Sequence, residues 1–413
     1  MTPRLYLHVL LFIMGSYSLC AQNIQFSGLK RTDSVYLKKA IGLRPHSTLD
    51  SLQLQTLARK IRNTRLFHTV SYTSRVVGSD TTVNFHCEEV QSVLPIVEIG
   101  ATQGNQWFRL GVQDENGLGK GIQTIAFYQY NEKHSFVLKQ KFPLALGKWG
   151  VGYLLRKWSF LEPFTFQNTP EYYVYTSRNA EVNVSYPFKV NRHELEVGMG
   201  YLSEKYLHTK PEEFQQGPTR FFHEKLVLKT VHTLNQLNYH SFYLSGWANT
   251  LRVVGTLGPK NTQPFVSVIN EIRYFKRMPH KGNLAIRNRI GLASNQNVFL
   301  APFVLDNYYN IRGVGNRIDR GTGSIVLNTE YRQTLWENPT FGIQTLGFID
   351  AGTWRKPGGT LTDFTKRQNT KVFAGFGTRL IYKKAFDAIL SLDYGWSING
   401  VGQGFVFGIG QYF

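Results

Sequence analysis

The sequence predicts a small α+β domain followed by a transmembrane antiparallel β-barrel of about sixteen strands. Three observations carry that expectation. The chain opens on MTPRLYLHVLLFIMGSYSLCAQ, which has the layout of an export signal. After it, no stretch approaches the eighteen or so uninterrupted apolar residues of a membrane helix, although aromatic residues reach 14% and there are 38 glycines. Segment after segment alternates apolar and polar side chains, which is how a strand presents one face to lipid and the other to a lumen. A membrane leaves no backbone hydrogen-bonding group unsatisfied, so a spanning protein without apolar helices must be a closed barrel.

In the leader, Arg4 forms the basic start, Leu5 to Met14 the apolar stretch, and Leu19-Cys20-Ala21 the cleavage site before Gln22, so residues 1–21 are expected to be removed. The competing reading, a lipoprotein acylated on Cys20, is disfavoured by Tyr17 and Leu19, which stand where small residues are preferred. Cys87 is then the one thiol of the mature chain, and no internal disulfide is possible. It shares a strand face with Val83 and Phe85, the pattern of a small buried apolar residue rather than a nucleophile.

Residues 22–92 read as one α+β domain. NIQFSGL is a short strand and TDSVYLKKAIG a short capped helix ending at Gly42. STLDSLQLQTLARKIRN is a second helix with a Ser47-to-Asp50 capping pattern, and its Leu54, Leu57, Ala58 and Ile61 make one apolar face. Two strands follow, LFHTVSYTSRVV and TTVNFHCEEV, joined at Gly78-Ser79-Asp80.

Residues 93–413 read as the barrel. GIQTIAFYQY, EYYVYTSRNAEVNVSYPF, HELEVGMGYL, HSFYLSGWAN, FVSVINEIRYF, GSIVLNTEYRQ and FGIQTLGFIDAG all alternate. The chain closes on GFVFGIGQYF, with Phe405, Phe407, Ile409 and Phe413 on one face of a final strand and Val406, Gly408, Gly410 and Tyr412 on the other. Phe413 is expected at the membrane interface, as an assembly signal of outer-membrane barrels. The first and last strands, near Leu94 to Ala101 and Gly404 to Phe413, would then meet in a glycine-weakened seam.

One loop stands apart. NIRGVGNRIDRG, Asn310 to Gly321, concentrates arginine and glycine. Arg312, between Ile311 and Gly313, cannot rest in lipid, and its glycines allow tight folding in a confined space. Asp350 lies on a strand two residues from Phe348 and so on the same face, where it could offer a carboxylate to Arg312 while Phe348 offers its ring. From composition alone, a solvated loop cation is the favoured reading. Arg317 and Arg320 read as polar loop residues or as contacts to lipopolysaccharide phosphates.

Taken together these residues resemble a family: the outer-membrane insertases and protein translocases built from periplasmic polypeptide-transport-associated (POTRA) domains and a sixteen-stranded barrel. The order strand, helix, helix, strand, strand is similar to one POTRA domain, with TRLFHTVSY at its helix-to-strand junction. FRLGVQDENGLGKG resembles the family's first barrel hairpin, with Asp114, Asn116, Gly119 and Gly121 in the matching places. Ile311-Arg312-Gly313 resembles its inward-folded loop motif, and GFIDAG, with Phe348, Asp350 and Gly352, its partner strand. Val314 stands where an aromatic is common.

The resemblance implies an outer-membrane protein that inserts β-barrels or translocates polypeptide, with the POTRA domain in the periplasm capturing unfolded clients and the Arg312 loop bracing the barrel. Implied partners are client polypeptides, outer-membrane lipids, lipopolysaccharide and accessory periplasmic proteins. A dedicated secretion pore for one partner protein, or a passive porin or receptor, fits the same architecture.

The net charge of +20 is spread along strands and turns rather than gathered in one stripe, which favours anionic headgroups or a cationic lumen over nucleic acid. No G-x-S-x-G, H-E-x-x-H or paired C-x-x-C is present, so no enzyme, cofactor or metal site is expected. His193, His223 and His240 read as polar wall residues.

Overall fold

The computed structural model describes residues 22–43, 49–77, 80–102, 105–166, 169–189, 192–214, 217–240, 243–258, 263–296, 300–305, 310–315, 320–385 and 388–413. The expected leader, Ser47, the turn residues Gly78 and Ser79, and Arg317 lie outside these.

The N-terminal unit comprises β1 (Gln22–Ser27), α1 (Ser34–Ala40), α2 (Ser51–Arg62), β2 (Phe67–Val77) and β3 (Asp80–Glu89). Its sheet runs β1-β3-β2, with β1 parallel and β2 antiparallel to β3. The apolar face of α2 packs Leu54, Leu57, Ala58 and Ile61 against Leu37, Val83, Phe85 and Cys87, all buried. The start of α2 is set by Asp50 and not by the Ser47-to-Asp50 pattern. Asp50 Oδ1 accepts from Gln53 N at 2.7 Å and Gln53 Oε1 from Asp50 N at 3.1 Å, which satisfies two otherwise unpaired amides. The Cys87 thiol is pushed up to about 12, first by burial and then by Glu89, which makes it a poor nucleophile.

The barrel follows with β4 (Val93–Thr102), β5 (Asn105–Gly117), β6 (Ile122–Asn131), β7 (Lys133–Leu146), β8 (Trp149–Phe166), β9 (Thr169–Lys189) and β10 (His193–His208). It continues with β11 (Arg220–Asn235), β12 (Asn238–Tyr239), β13 (Leu244–Leu257), β14 (Phe265–Arg277) and β15 (Gly282–Ala293). It closes with β16 (Gly323–Glu337), β17 (Phe341–Arg355), β18 (Thr370–Tyr382), β19 (Ile389–Ser397) and β20 (Gln403–Ile409). The two residues of β12 only extend the hairpin onto β13, and the other sixteen strands form a closed antiparallel barrel. Alternation decides the faces: on β9, Val182 and Val184 are exposed outward while Asn183 and Ser185 are buried inward.

Two features at the rim carrying the N-terminal unit matter for function. The unit is tied to three separate hairpin turns around the mouth. Asp33 N donates to Gly119 O at 2.9 Å, Asn63 Nδ2 to Leu237 O at 3.0 Å, and Gln91 N to Lys384 O at 3.1 Å. The second feature is the closing seam. Among the described residues β20 pairs with β4 only from Gly404↔Thr102 to Phe407↔Ile99, whereas the other neighbouring full-length strands pair over seven to seventeen residues. Beyond Phe407↔Ile99 no further pair is formed among them, although Gly408 still lies against Glu98.

The C-terminal segment departs from the expected strand. β20 ends at Ile409, Gly410 adopts φ +107°, and Tyr412 and Phe413 turn into the lumen instead of continuing along the wall. Phe413 packs beside buried Phe275 at 6.3 Å between ring centroids, and its carbonyl oxygen accepts from Arg332 Nη2 at 3.3 Å, so it is not a membrane-interface aromatic here. That left-handed φ, cheap only for glycine, is what redirects the chain.

Candidate functional site

The segment between β15 and β16 folds into the barrel, and its described tip is buried: Ile311 and Arg312 are at most 1% exposed. Ile311 and Val314 pack with Leu305, Val326, Trp354 and Phe373. Gly313 lies at φ +87°, and a Cβ there would come within 2.7 Å of Gly395 O, so both its conformation and its fit require glycine. Gly352 plays the matching part on β17, because a Cβ there would meet Ile311 Cδ1 at 2.7 Å.

Arg312 is held by three strands. Its Nε and Nη2 donate to Asp350 Oδ2 and Oδ1 at 2.8 and 3.0 Å, a two-point grip, and its backbone N donates to Oδ2 at 3.1 Å. Nη1 donates to Asp393 Oδ2 on β19 at 3.3 Å and lies 2.6 Å from Glu330 Oε1 on β16, outside hydrogen-bond alignment. The guanidinium carbon sits 3.5 Å from the centre of the Phe348 ring on one side and 4.3 Å from that of Tyr412 on the other. Planar delocalised charge suits this double stacking, which an ammonium could not reproduce.

Arg379 grips Asp393 with Nη1 and Nη2 at 2.7 and 2.9 Å, and Arg332 Nε donates to Glu330 Oε2 at 2.7 Å. With Arg287, which is also buried, donates to Asn328 Oδ1 at 3.0 Å and lies over Tyr412, four arginines gather around these three carboxylates. Asn328, directly opposite Asp350 in the β16–β17 register, donates to Asp350 Oδ1 and to Asn310 O, both at 2.8 Å. Burying a carboxylate with every lone pair engaged avoids the cost of an unsatisfied charge.

The loop has a second anchor. Arg320 forms a two-point ion pair with Glu162 on β8, with Nη2 donating to Oε2 at 3.0 Å, and lies over the Tyr175 ring. It is therefore a lumen residue, not a contact to lipopolysaccharide.

The first hairpin serves a different purpose from the loop. Asp114 Oδ1 accepts from Asn116 N at 3.0 Å, and Asn116 Oδ1 from Gly121 N at 2.9 Å, which shapes the turn. Asn116 Nδ2 then donates to Thr32 Oγ1 at 2.9 Å. Gly119 and Gly121 have φ of +71° and +63°, and a Cβ on either would collide with Arg31 O or the Tyr36 hydroxyl of the N-terminal unit. These four residues form the joint between unit and barrel.

Glu89 completes that joint by accepting from the backbone N of Lys30, Arg31 and Thr32 and from the Thr32 hydroxyl. Burial works to raise its pKa, but the Thr32 hydroxyl and the three amides outweigh it and hold the carboxyl below the usual range. A depressed folded-state pKa contributes stability present above the unfolded value and lost as pH falls through the folded one. The joint is expected to loosen at pH values below the ordinary glutamate range, and Glu89→Gln is expected to be loose at neutral pH. Protease sensitivity between residues 89 and 93 checks this, and acid-insensitive cleavage would contradict it.

Of the residues singled out from sequence, the structure brings Ile311, Arg312, Gly313, Phe348, Asp350 and Gly352 into one cluster. It places Asp114, Asn116, Gly119 and Gly121 at the joint, and Phe405, Phe407 and Gly408 on the last strand. Glu330, Arg332, Arg379, Asp393 and Tyr412 were not anticipated. The available signal was the pair Glu330 and Arg332, opposite charges two residues apart on one face of β16.

Fold and site together define a transmembrane antiparallel barrel with an internal arginine loop and a small domain at one mouth. The model of the Omp85 superfamily domain matches residues 156–413, and the chain belongs to that superfamily of outer-membrane β-barrels. No curated protein matches the sequence. Among solved structures it is similar to CdiB from Acinetobacter baumannii, with 12% identity, TM-score 0.63, and coverage of 95% of this chain and 74% of that one. CdiB from Escherichia coli follows at 12% identity and TM-score 0.62, covering 94% and 76%. BamA from Haemophilus ducreyi lacking POTRA domains 1-3 is similar at 15% identity and TM-score 0.57, covering 94% and 84%. At such identities the likeness is one of fold.

Proposed function

We propose that this protein inserts β-barrel proteins into the outer membrane or translocates polypeptide across it, with its N-terminal unit acting as a single periplasmic POTRA domain. The observation that carries the reading is the seam. Along β4, residues Val93 to Glu98 are in ladder pairing with β5 and not with β20 among the described residues, so the β20-facing edge of this stretch is where a client strand would add. A cavity of about 460 Å³ lies in the lumen at the unit-bearing mouth, and Leu94, Ile96 and Glu98 of β4 and Ile409 of β20 reach its wall together with residues from across the barrel such as Arg273 and Arg332. The Arg312 cluster supports the reading, because it ties the loop to β16, β17 and β19 and, through Tyr412, to the segment following β20. The loop acts as a brace that keeps the seam in its working register.

In this reading the rim bearing the N-terminal unit faces the periplasm, and client chains are captured there before reaching the seam. Membership of the superfamily supports the outer-membrane placement. Depletion of the protein followed by proteomics of the outer membrane and the medium tests the proposal. Loss of many barrels supports insertion, and loss of one secreted protein supports dedicated translocation. No change in either, with steady high conductance of the purified protein in planar bilayers, would mark a passive pore.

A further inference from the structure

The outer wall carries a charge arrangement that the transport reading does not use. Lys157 on β8 and Arg178 on β9 stand directly opposite each other in register, and both point outward, on the faces that also bear Leu155 and Val182. Like charges on opposed cross-strand positions repel. Among the described residues neither side chain makes an ion pair or hydrogen bond within the protein. The nearest outward acid in that row is Glu224, on the far side of Ser203, and it is engaged by the Tyr201 hydroxyl. The countercharge for this pair must therefore come from outside the chain.

The surface beside them says what kind of molecule brings it. One row nearer the unit-bearing rim, the register aligns Leu138, Leu155, Ala180 and Tyr201 across four strands, and Ala180 forms a low point between two larger neighbours. The groove there holds about 670 Å³ and is lined chiefly by apolar atoms, with Lys157 and Arg178 on its edge. Its level in the membrane follows from β9. Trp149 and Tyr186 pack at 4.7 Å on the outer wall near the unit-bearing rim, with Phe188 beside Tyr186, as aromatics do at a membrane interface. Arg178 lies eight residues further along β9, a rise of about 20 Å for a strand tilted by roughly 40°. With an apolar band about 25 Å tall, the two cations stand where the far leaflet's acyl chains give way to headgroups.

We propose that Lys157, Arg178 and the groove beside them form a binding site for a phosphorylated, multiply acylated glycolipid of the lipopolysaccharide class. The phosphate bridges the two cations and the acyl chains fill the groove. Paired cations favour a doubly phosphorylated sugar headgroup over a single phosphodiester, and a groove spanning several strands favours more than two chains. The orientation rests on the reading given above, but lipid binding is measured apart from transport, so either can fail alone.

The test titrates the full chain, purified in detergent, with diphosphoryl lipid A and counts bound lipid by native mass spectrometry. Phosphate-free lipid A and phosphatidylglycerol serve as comparisons, and heat-modifiable gel migration shows that each variant is folded. Lys157→Gln with Arg178→Gln is expected to weaken diphosphoryl lipid A binding by about thirty-fold, five- to six-fold for each cation. Each single variant is expected to show its share, and Lys157→Arg with Arg178→Lys to retain binding. Unchanged affinity in the folded double variant would overturn the proposal. So would equal binding of phosphate-free lipid A or of phosphatidylglycerol by the unaltered protein.

Discussion

Arg312→Ala is expected to abolish client insertion or export while leaving a barrel that still reaches the membrane with lowered stability. Arg312 is the ion-pair partner of buried Asp350, while Arg332 and Arg379 grip Glu330 and Asp393, so removing its guanidinium leaves Asp350 without a paired cation. Breaking a buried pair in this way costs about 3–5 kcal/mol. The loop tip also loses its two-point grip on Asp350 and its seat between Phe348 and Tyr412. Arg312→Lys is expected to fail nearly as badly, because a point charge makes neither the fork nor the stacking.

The structure also changes what a charge swap should do. If Asp350 were the sole partner, Arg312→Asp with Asp350→Arg would restore function. Glu330 and Asp393 also face position 312, so the swapped aspartate would meet two acids, and the double variant is expected to remain inactive. Urea-dependent unfolding in detergent together with a client-assembly assay checks these outcomes. Activity of Arg312→Ala near that of the unaltered protein would remove the brace from the account.

Much of this architecture was legible locally. On β9, alternation persists over nearly the whole strand because a period of two is a local property of extended chain. The apolar face of α2 was equally plain, but its start was not: Asp50 with Gln53 caps it by closing a reciprocal pair of hydrogen bonds.

The cluster around Arg312 was legible only in part. GFIDAG announces an inward Asp350 by spacing, but Asp393 looks like any lumen-facing acid until closure and register bring β16, β17 and β19 around one point. The last residues misled for a related reason. Alternation through Tyr412 reads as continuing strand, and only the left-handed turn at Gly410 reveals that these aromatics leave the wall for the lumen. Inside the barrel part of the +20 charge is matched: buried Lys225 pairs with Glu204, and half-buried Lys229 with Glu181 and Glu196.

The second large effect concerns the seam, which must part for a client strand to enter the wall. Only Gly404 to Phe407 of β20 hold it among the described residues, and opposed antiparallel residues have Cα atoms about 4.5–5.5 Å apart, within reach of a disulfide. Ala101 and Phe405 are one such pair. A bond there would add a covalent link where few backbone hydrogen bonds now act. Val184 and Val197, paired between β9 and β10, provide a matched bond away from the seam. Buried Cys87 is not expected to interfere, given its raised thiol pKa.

The decisive measurement is therefore client assembly or export by Ala101→Cys with Phe405→Cys, before and after reduction, beside Val184→Cys with Val197→Cys. A seam that opens predicts loss of activity in the oxidised first pair, recovery on reduction, and little effect of the second. Full activity of the first pair with its disulfide formed would contradict a lateral opening.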